Sequence, residues 1–200
     1  MLNKRNILIV ATAIIAIIIV IITIEVGIQT GSKKEFGEKH GNTLVMKAYK
    51  QSDYITNFES FSDEGDQVVT YLNSIRFGNH ENPKESPFAQ YGLTEKFFAE
   101  FTGKFSVDDQ KEVMFSVYSD DGFILYIDGE SVSRFSGNRG YAETKISVPV
   151  SPGEHSLKLR YYQSGGHIGL DAYYLLPEGG DWFPIGTDAP FLKFKELVDD

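Results

Sequence analysis

Residues Ile7 to Ile24 read ILIVATAIIAIIIVIITI, a run without a single charge. No other stretch narrows the possible structures of this chain as much. At about 1.5 Å per residue, a helix of this length spans roughly 27 Å, close to the hydrocarbon thickness of a bilayer. Isoleucine favours strand in water, but in lipid every backbone polar group must be satisfied within its own segment, so helix is expected. The run is longer than the apolar core of a cleaved signal peptide, and Glu25 to Thr30 offers no small-x-small cleavage site. Lys4 and Arg5 favour an N-inside orientation, against a counterweight from Lys33, Lys34 and Lys39. The expectation is an uncleaved signal anchor over residues 1–28, with the remainder extracytoplasmic.

Residues 29–43 (QTGSKKEFGEKHGNT) are polar and lack a repeating pattern, and they read as a linker. Residues 44–200 are then one soluble domain, long enough to hold a core without covalent staples. This fits the absence of cysteine, which excludes a disulfide scaffold, a thiolate metal site and a cysteine nucleophile. The formal charge of −9 repels phosphate backbones and argues against nucleic acid as a partner. It suits hard cations wherever carboxylates converge.

Beyond the linker, apolar residues mostly alternate instead of recurring at helical spacing. Strands are expected over 44–49, 112–118, 123–127, 131–135, 145–150, 156–162 and 168–176. Asp128-Gly129 signals a tight hairpin, and Pro152-Gly153 fits the centre of a type II turn. Asp66 to Ile75 reads either as a short helix capped by Asp66 or as a strand entering Phe77. Many short strands without intervening helices indicate an all-β fold, an antiparallel β-sandwich or barrel.

Four landmarks are more specific: F-T-G at Phe101–Gly103, S-D-D-G at Ser119–Gly122, Y-I-D-G at Tyr126–Gly129, and P-G-x-H at Pro152–His155 leading into Tyr161 and Tyr162. In this order and spacing they resemble the protective-antigen N-terminal fragment domain, the "PA-fourteen" β-sandwich of flocculins and adhesins. The resemblance is firm from Phe97 to Leu176 and loose before. It implies a sandwich fold and, in members that bind glycans, one Ca²⁺ held by two consecutive aspartates joined by a cis peptide, here Asp120 and Asp121. A trans dipeptide would send neighbouring side chains to opposite faces; a cis bond lets them converge. Gly122 is expected to absorb an unusual backbone angle after the pair. The resemblance places a third calcium ligand at Gln163. In the loop that follows, backbone carbonyls of Ser164, Gly165 or Gly166 are candidates to add to the calcium shell, and His167 is a candidate to face a sugar. Ser-Gly-Gly-His is this chain's own departure from the adhesin loop.

Simpler readings stand beside these. Ser-Asp-Asp-Gly alone is an ordinary turn, and Asp128-Gly129 is a turn with no further role. Asp171 lies in an expected strand and is read as facing solvent. Arg134, Asn138 and Arg139 belong to a solvated loop that borders the site. Trp182 offers a sugar-stacking ring, but partial burial is the default for a sandwich tryptophan. No nucleophile elbow, zinc-protease motif, P-loop or dinucleotide fingerprint is present, so no enzyme is expected. The leading expectation is a membrane-anchored, calcium-dependent carbohydrate-binding module at the cell surface, with a glycan as partner. The alternative is a non-lectin structural or interaction domain that contacts a surface protein.

Overall fold

The computed structural model describes residues 31–175 and 180–198. The apolar run Ile7–Ile24 lies outside the described residues, and with it the expected anchor. Among the described residues no helix is long and apolar enough to cross a membrane.

In chain order the strands are β1 (Lys33–Phe36), β2 (Leu44–Lys50), β3 (Gln67–Leu72), β4 (Arg76–His80), β5 (Phe97–Val107), β6 (Lys111–Asp120), β7 (Phe123–Ile127), β8 (Glu130–Phe135), β9 (Ala142–Val150), β10 (Gly153–Gln163), β11 (Ile168–Leu175), β12 (Phe183–Pro184) and β13 (Leu192–Phe194). They form two sheets. The first runs β1-β3-β2-β5-β10-β7-β8, with β13 also on β5; the second runs β12-β11-β6-β9, with β4 also on β11. All pairings are antiparallel except β1 with β3, which is parallel.

The fold follows from alternation. In β6, Val113, Phe115 and Val117 are buried, and in β10 Leu157, Leu159 and Tyr161 are. Each set takes one face of its strand, and the two faces meet in a single core with Phe101, Phe105, Leu170 and Tyr174. At the hairpin between β7 and β8, Asp128 has φ +52° and Gly129 φ +85°, the left-handed pair that a tight primed turn needs.

The structure decides three points in the early part of the domain. Of the two readings of Asp66–Ile75 the strand holds: Gln67–Leu72 pairs with β2 on one side and β1 on the other, and Val68 joins the core. Part of the segment read as linker, Lys33–Phe36, pairs with β3, and the Phe36 carbonyl accepts the Thr70 hydroxyl at 3.1 Å. The polar loop after β4 is held by two short 3₁₀ turns, capped by Asn82 and Ser86, that press Phe88 into the core against Phe77.

Candidate functional site

Three connections that pass from one sheet to the other converge at one end of the sandwich. Asp120–Gly122 carries the chain from β6 to β7, residues 136–141 carry it from β8 to β9, and residues 164–167 carry it from β10 to β11. The first is stitched to the other two through Asp121. Its Oδ1 accepts the Arg139 N–H at 3.2 Å, and its Oδ2 accepts the Ser164 N–H at 2.8 Å. The peptide joining Asp120 to Asp121 is cis.

Asp120 ends β6 opposite Gly169 of β11. By alternation it shares the outer face of the second sheet with Ser116 and Tyr118, and its carboxylate accepts the Tyr141 backbone N–H. The Tyr161 hydroxyl, fully buried, donates toward both the Asp120 carbonyl and Gln163 Oε1. Gln163 Nε2 donates to the His167 carbonyl at 2.6 Å. Gln163 therefore lies in the cluster and shapes the turn beyond it, while its oxygen keeps one lone pair past the Tyr161 bond. The Ser164 carbonyl accepts from the Lys96 N–H at 3.1 Å. Ser164 is buried, whereas Gly166 and His167 are exposed beside the pair.

Both aspartates are 5% exposed. Burial, and after it the charge of Asp121, pushes the Asp120 carboxyl up to about 6. Burial also raises Asp121, against the two N–H bonds it accepts. Two adjacent carboxylates are thus held where their charge is costly, with the Arg139 guanidinium and the His167 ring nearby. Among the described residues no three His, Cys, Asp or Glu side chains gather at one point. A metal ion here would need amide and carbonyl oxygens as well as the pair. The donors are oxygen throughout, which fits a hard cation such as calcium and excludes soft metals.

Several side chains behave otherwise than the sequence suggested. Gly122 does not take a positive φ; it is required because a Cβ there would lie 2.3 Å from the Tyr162 ring. Asp171 does not face solvent: it accepts the Gly78 N–H at 3.1 Å and the Tyr141 hydroxyl. Arg139 is no free loop cation. Its guanidinium donates to the Ser119 carbonyl, the Ser119 hydroxyl and Thr144, and lies 4.3 Å above the Phe135 ring. Asn138 bonds the Tyr162 hydroxyl at 2.9 Å, whereas Arg134 is exposed on β8. Asp128 has more than a turn to make. Its carboxylate accepts the Ser156 N–H at 2.8 Å and pairs with His155 Nδ1 at 2.6 Å.

One cluster was not legible from sequence. Tyr118, Tyr141, Tyr173 and Trp182 line a trough of about 340 Å³ on the outer face of the second sheet, with Glu143 and Lys145 on its β9 side. A hint was available in the alternation Ser116, Tyr118, Asp120. A larger depression, about 800 Å³, lies on the outer face of the first sheet beside the C-terminal segment, away from the aspartates.

The architecture is a two-sheet β-sandwich whose sheet crossings gather two buried aspartates at one end. The sequence matches the PA14 domain family model over residues 55–180, and the chain belongs to that family. Among solved structures it is similar to the "PA14 sugar-binding domain from RTX adhesin", with TM-score 0.59 and 17% identity, covering 71% of this chain and 94% of that one. It is also similar to the PA14 domain of the MpAFP antifreeze protein (TM-score 0.59, 15% identity, 76% and 91% covered). A third is the epithelial adhesin 9 A domain of Candida glabrata in complex with Galβ1-4GlcNAc (TM-score 0.53, 13% identity, 78% and 90% covered). No curated protein matches the sequence.

Proposed function

We propose that this domain binds carbohydrate through a calcium ion held by Asp120 and Asp121, and that an N-terminal anchor displays it outside the cell. The observation that carries the reading is the aspartate pair: two buried carboxylates, side by side, at the junction of three sheet crossings. Gln163, through its remaining lone pair, and carbonyls of the Ser164–His167 turn would complete the oxygen set together with sugar hydroxyls. Bound calcium would supply a fixed positive centre for vicinal hydroxyls. The chain's own residues do the rest. Tyr161 and Gln163 set the depth of the turn, Arg139 fixes the carbonyl of Ser119, and the exposed Gly166-His167 edge, with half-buried Gly165 behind it, meets the ligand. Support from outside the chain comes from the adhesin domains of the same fold whose descriptions name sugars.

The test is calcium added to chelator-treated protein. Binding to the native state alone adds RT ln(1 + [L]/Kd), about 2.7 kcal/mol at a hundredfold excess over Kd, which raises Tm by on the order of 5–10 °C. Asp121→Ala should abolish the rise and, with it, binding to a glycan array. If calcium moves neither melting nor binding, the pair is an acidic turn and the domain is an interaction module of another kind. The anchor is tested separately, by peptides from before Ile24 in membrane-extracted protein; a mature N-terminus between Gly27 and Ser32 would overturn it.

A further inference from the structure

The outer face of the second sheet can be read row by row from its register. Lys145, Ser116 and Tyr173 form one row across β9, β6 and β11, and Glu143, Tyr118 and Asp171 form the next. Trp182, just before edge strand β12, closes one side of the trough. Toward the sandwich end the next residue of β6 on this face is Asp120, two positions or about 7 Å beyond Tyr118.

Tyr141 joins the two regions. Its backbone N–H bonds the Asp120 carboxylate, while its ring stacks on Tyr118 at 5.5 Å and 23°. The ring lies so closely over Gly169 that a Cβ there would sit 2.5 Å from it. Trough and aspartate pair are therefore one continuous surface.

The chemistry of that surface is specific. Four aromatic rings in or beside an open trough are an expensive use of exposed surface unless something lies on them. Two of the four polar tips, with the serine hydroxyl between them, are engaged within the protein. The Tyr141 hydroxyl is on Asp171, Tyr118 is hydrogen-bonded to Glu143, and the Ser116 hydroxyl is on Glu143 at 2.7 Å. What the trough offers a ligand is mainly ring faces and edges, with the Tyr173 hydroxyl and the Trp182 indole N–H beside them. At the rim, Glu143 and Lys145 pair at 3.0 Å and expose an acceptor and a donor, with the Lys145 ammonium 5.5 Å above the half-exposed Trp182 ring. A pyranose offers the complement: a face of C–H groups for the rings and equatorial hydroxyls for a mixed acceptor–donor rim. Folded anionic or cationic partners do not fit, because the rim charges compensate each other.

We propose that this trough is an extension subsite that holds the inner rings of an oligosaccharide whose terminal sugar sits at Asp120 and Asp121. The placement of the terminal sugar rests on the calcium-site reading above; the trough as a saccharide surface does not. The consequence is length selectivity. The pair alone serves a monosaccharide, whereas pair and trough together serve a chain.

Trp182 is the only tryptophan, so its emission reports on the trough directly. The experiment uses the full chain in a detergent without a sugar headgroup. An array of mono- to hexasaccharides that includes Galβ1-4GlcNAc and Galβ1-3GlcNAc is followed by fluorescence and calorimetric titration of its best binder and of that binder's terminal monosaccharide. The expected result is that the oligosaccharide shifts Trp182 emission and binds more tightly than the monosaccharide. Tyr173→Ala and Trp182→Ala should each cost about three- to tenfold in oligosaccharide affinity, leaving monosaccharide affinity and the calcium-dependent melting shift as in the unaltered chain. If both variants keep full oligosaccharide affinity, the trough proposal is overturned while the calcium site stands. If calcium has no effect yet an oligosaccharide still moves Trp182 and Tyr173→Ala weakens it, the calcium reading fails and the trough stands. Emission that answers to a proline-rich peptide and to no saccharide overturns the trough proposal.

Discussion

Gly122 and Gly169 mark the two closest approaches in the molecule's working end, and neither takes a positive φ. A methyl group at Gly122 would meet the Tyr162 ring at 2.3 Å and the Phe135 carbonyl at 3.0 Å. The ring cannot retreat, because the Tyr162 hydroxyl is tied to Thr56, Ser136 and Asn138. Gly122→Ala should therefore destabilise by about 1–3 kcal/mol, the cost of overpacking, read as a lower midpoint in urea; an unchanged midpoint would contradict the packing described. At the opposite end of the same sheets, His155 and Asp128 form a titrating pair. Burial opposes the His155 charge, but bonds to the Asp128 carboxylate and the Ser151 carbonyl outweigh it and hold its pKa above the usual value. Burial would raise Asp128, yet the His155 and Ser156 bonds hold it below its usual value. A raised histidine stabilises below its unfolded pKa, and that contribution fades as pH rises through the folded one. A lowered aspartate stabilises above its unfolded pKa and loses that as pH falls through the folded one. The pair thus helps most from about pH 4 to 6.5. Asp128→Asn, which keeps a residue suited to the turn, should lose stability relative to the unaltered chain at pH 5.5 and much less at pH 8.5. A Tm difference independent of pH would show that the pair does not titrate as described.

At the scale of elements, what the sequence made legible was what strand periodicity encodes. The alternation of Val113, Phe115 and Val117, the Asp128-Gly129 turn and the apolar face of β10 all survive in the structure, because burying one face of a strand fixes both its register and its orientation. The early region was ambiguous for a physical reason. Asp66 to Ile75 carries a run of apolar residues that suits either a helix face or a strand covered on both sides, and only the pairing with β2 and β1 decides. Asp171 was misread because its partners, Tyr141 and Gly78, come from a distant loop and from strand β4, which periodicity does not place beside it. Of the candidate site, Asp120, Asp121 and the Gln163–His167 turn stood out through resemblance. The aromatic trough did not, since its members come from four segments that only the register assembles. β1 yields an element-scale prediction. It covers the edge of β3 through mostly exposed residues, with Phe36 against Tyr91 at 5.3 Å and Ser32 on Asp66. Replacing Phe36 with Ala should cost about 1 kcal/mol, a partly buried truncation, without changing the calcium response. A loss as large as a core deletion, about 3–5 kcal/mol, would mean that β1 belongs to the core.

For the molecule as a whole, the decisive fact is where the buried residues begin. The core starts at Leu44 and runs through Phe101, Phe105, Leu159, Tyr161, Leu170 and Tyr174 to Phe194. Residues from Ser32 onward form a compact unit of their own. The long strands β5 and β10 pair over their whole length, Gly153 with Val107 through Gln163 with Phe97, so the centre of the first sheet is closed within this unit. A chain of this size buries enough surface to fold without disulfides, and among the described residues no fully buried core side chain precedes Leu44, Phe36 packing against the core only from the edge. A fragment beginning at Ser32 should therefore fold alone, with a β-type far-ultraviolet spectrum and one cooperative melt. A fragment beginning at Leu44 should also fold. It lacks β1, the Ser32–Asp66 bonds and the cover on the edge of β3, so it should melt lower by an amount matching about 1–2 kcal/mol and be more prone to self-association through the bared edge. Sedimentation of the two fragments distinguishes these effects. Equal Tm and equal monomer content would remove any structural role for β1. A spectrum dominated by helix in either fragment would overturn the fold itself.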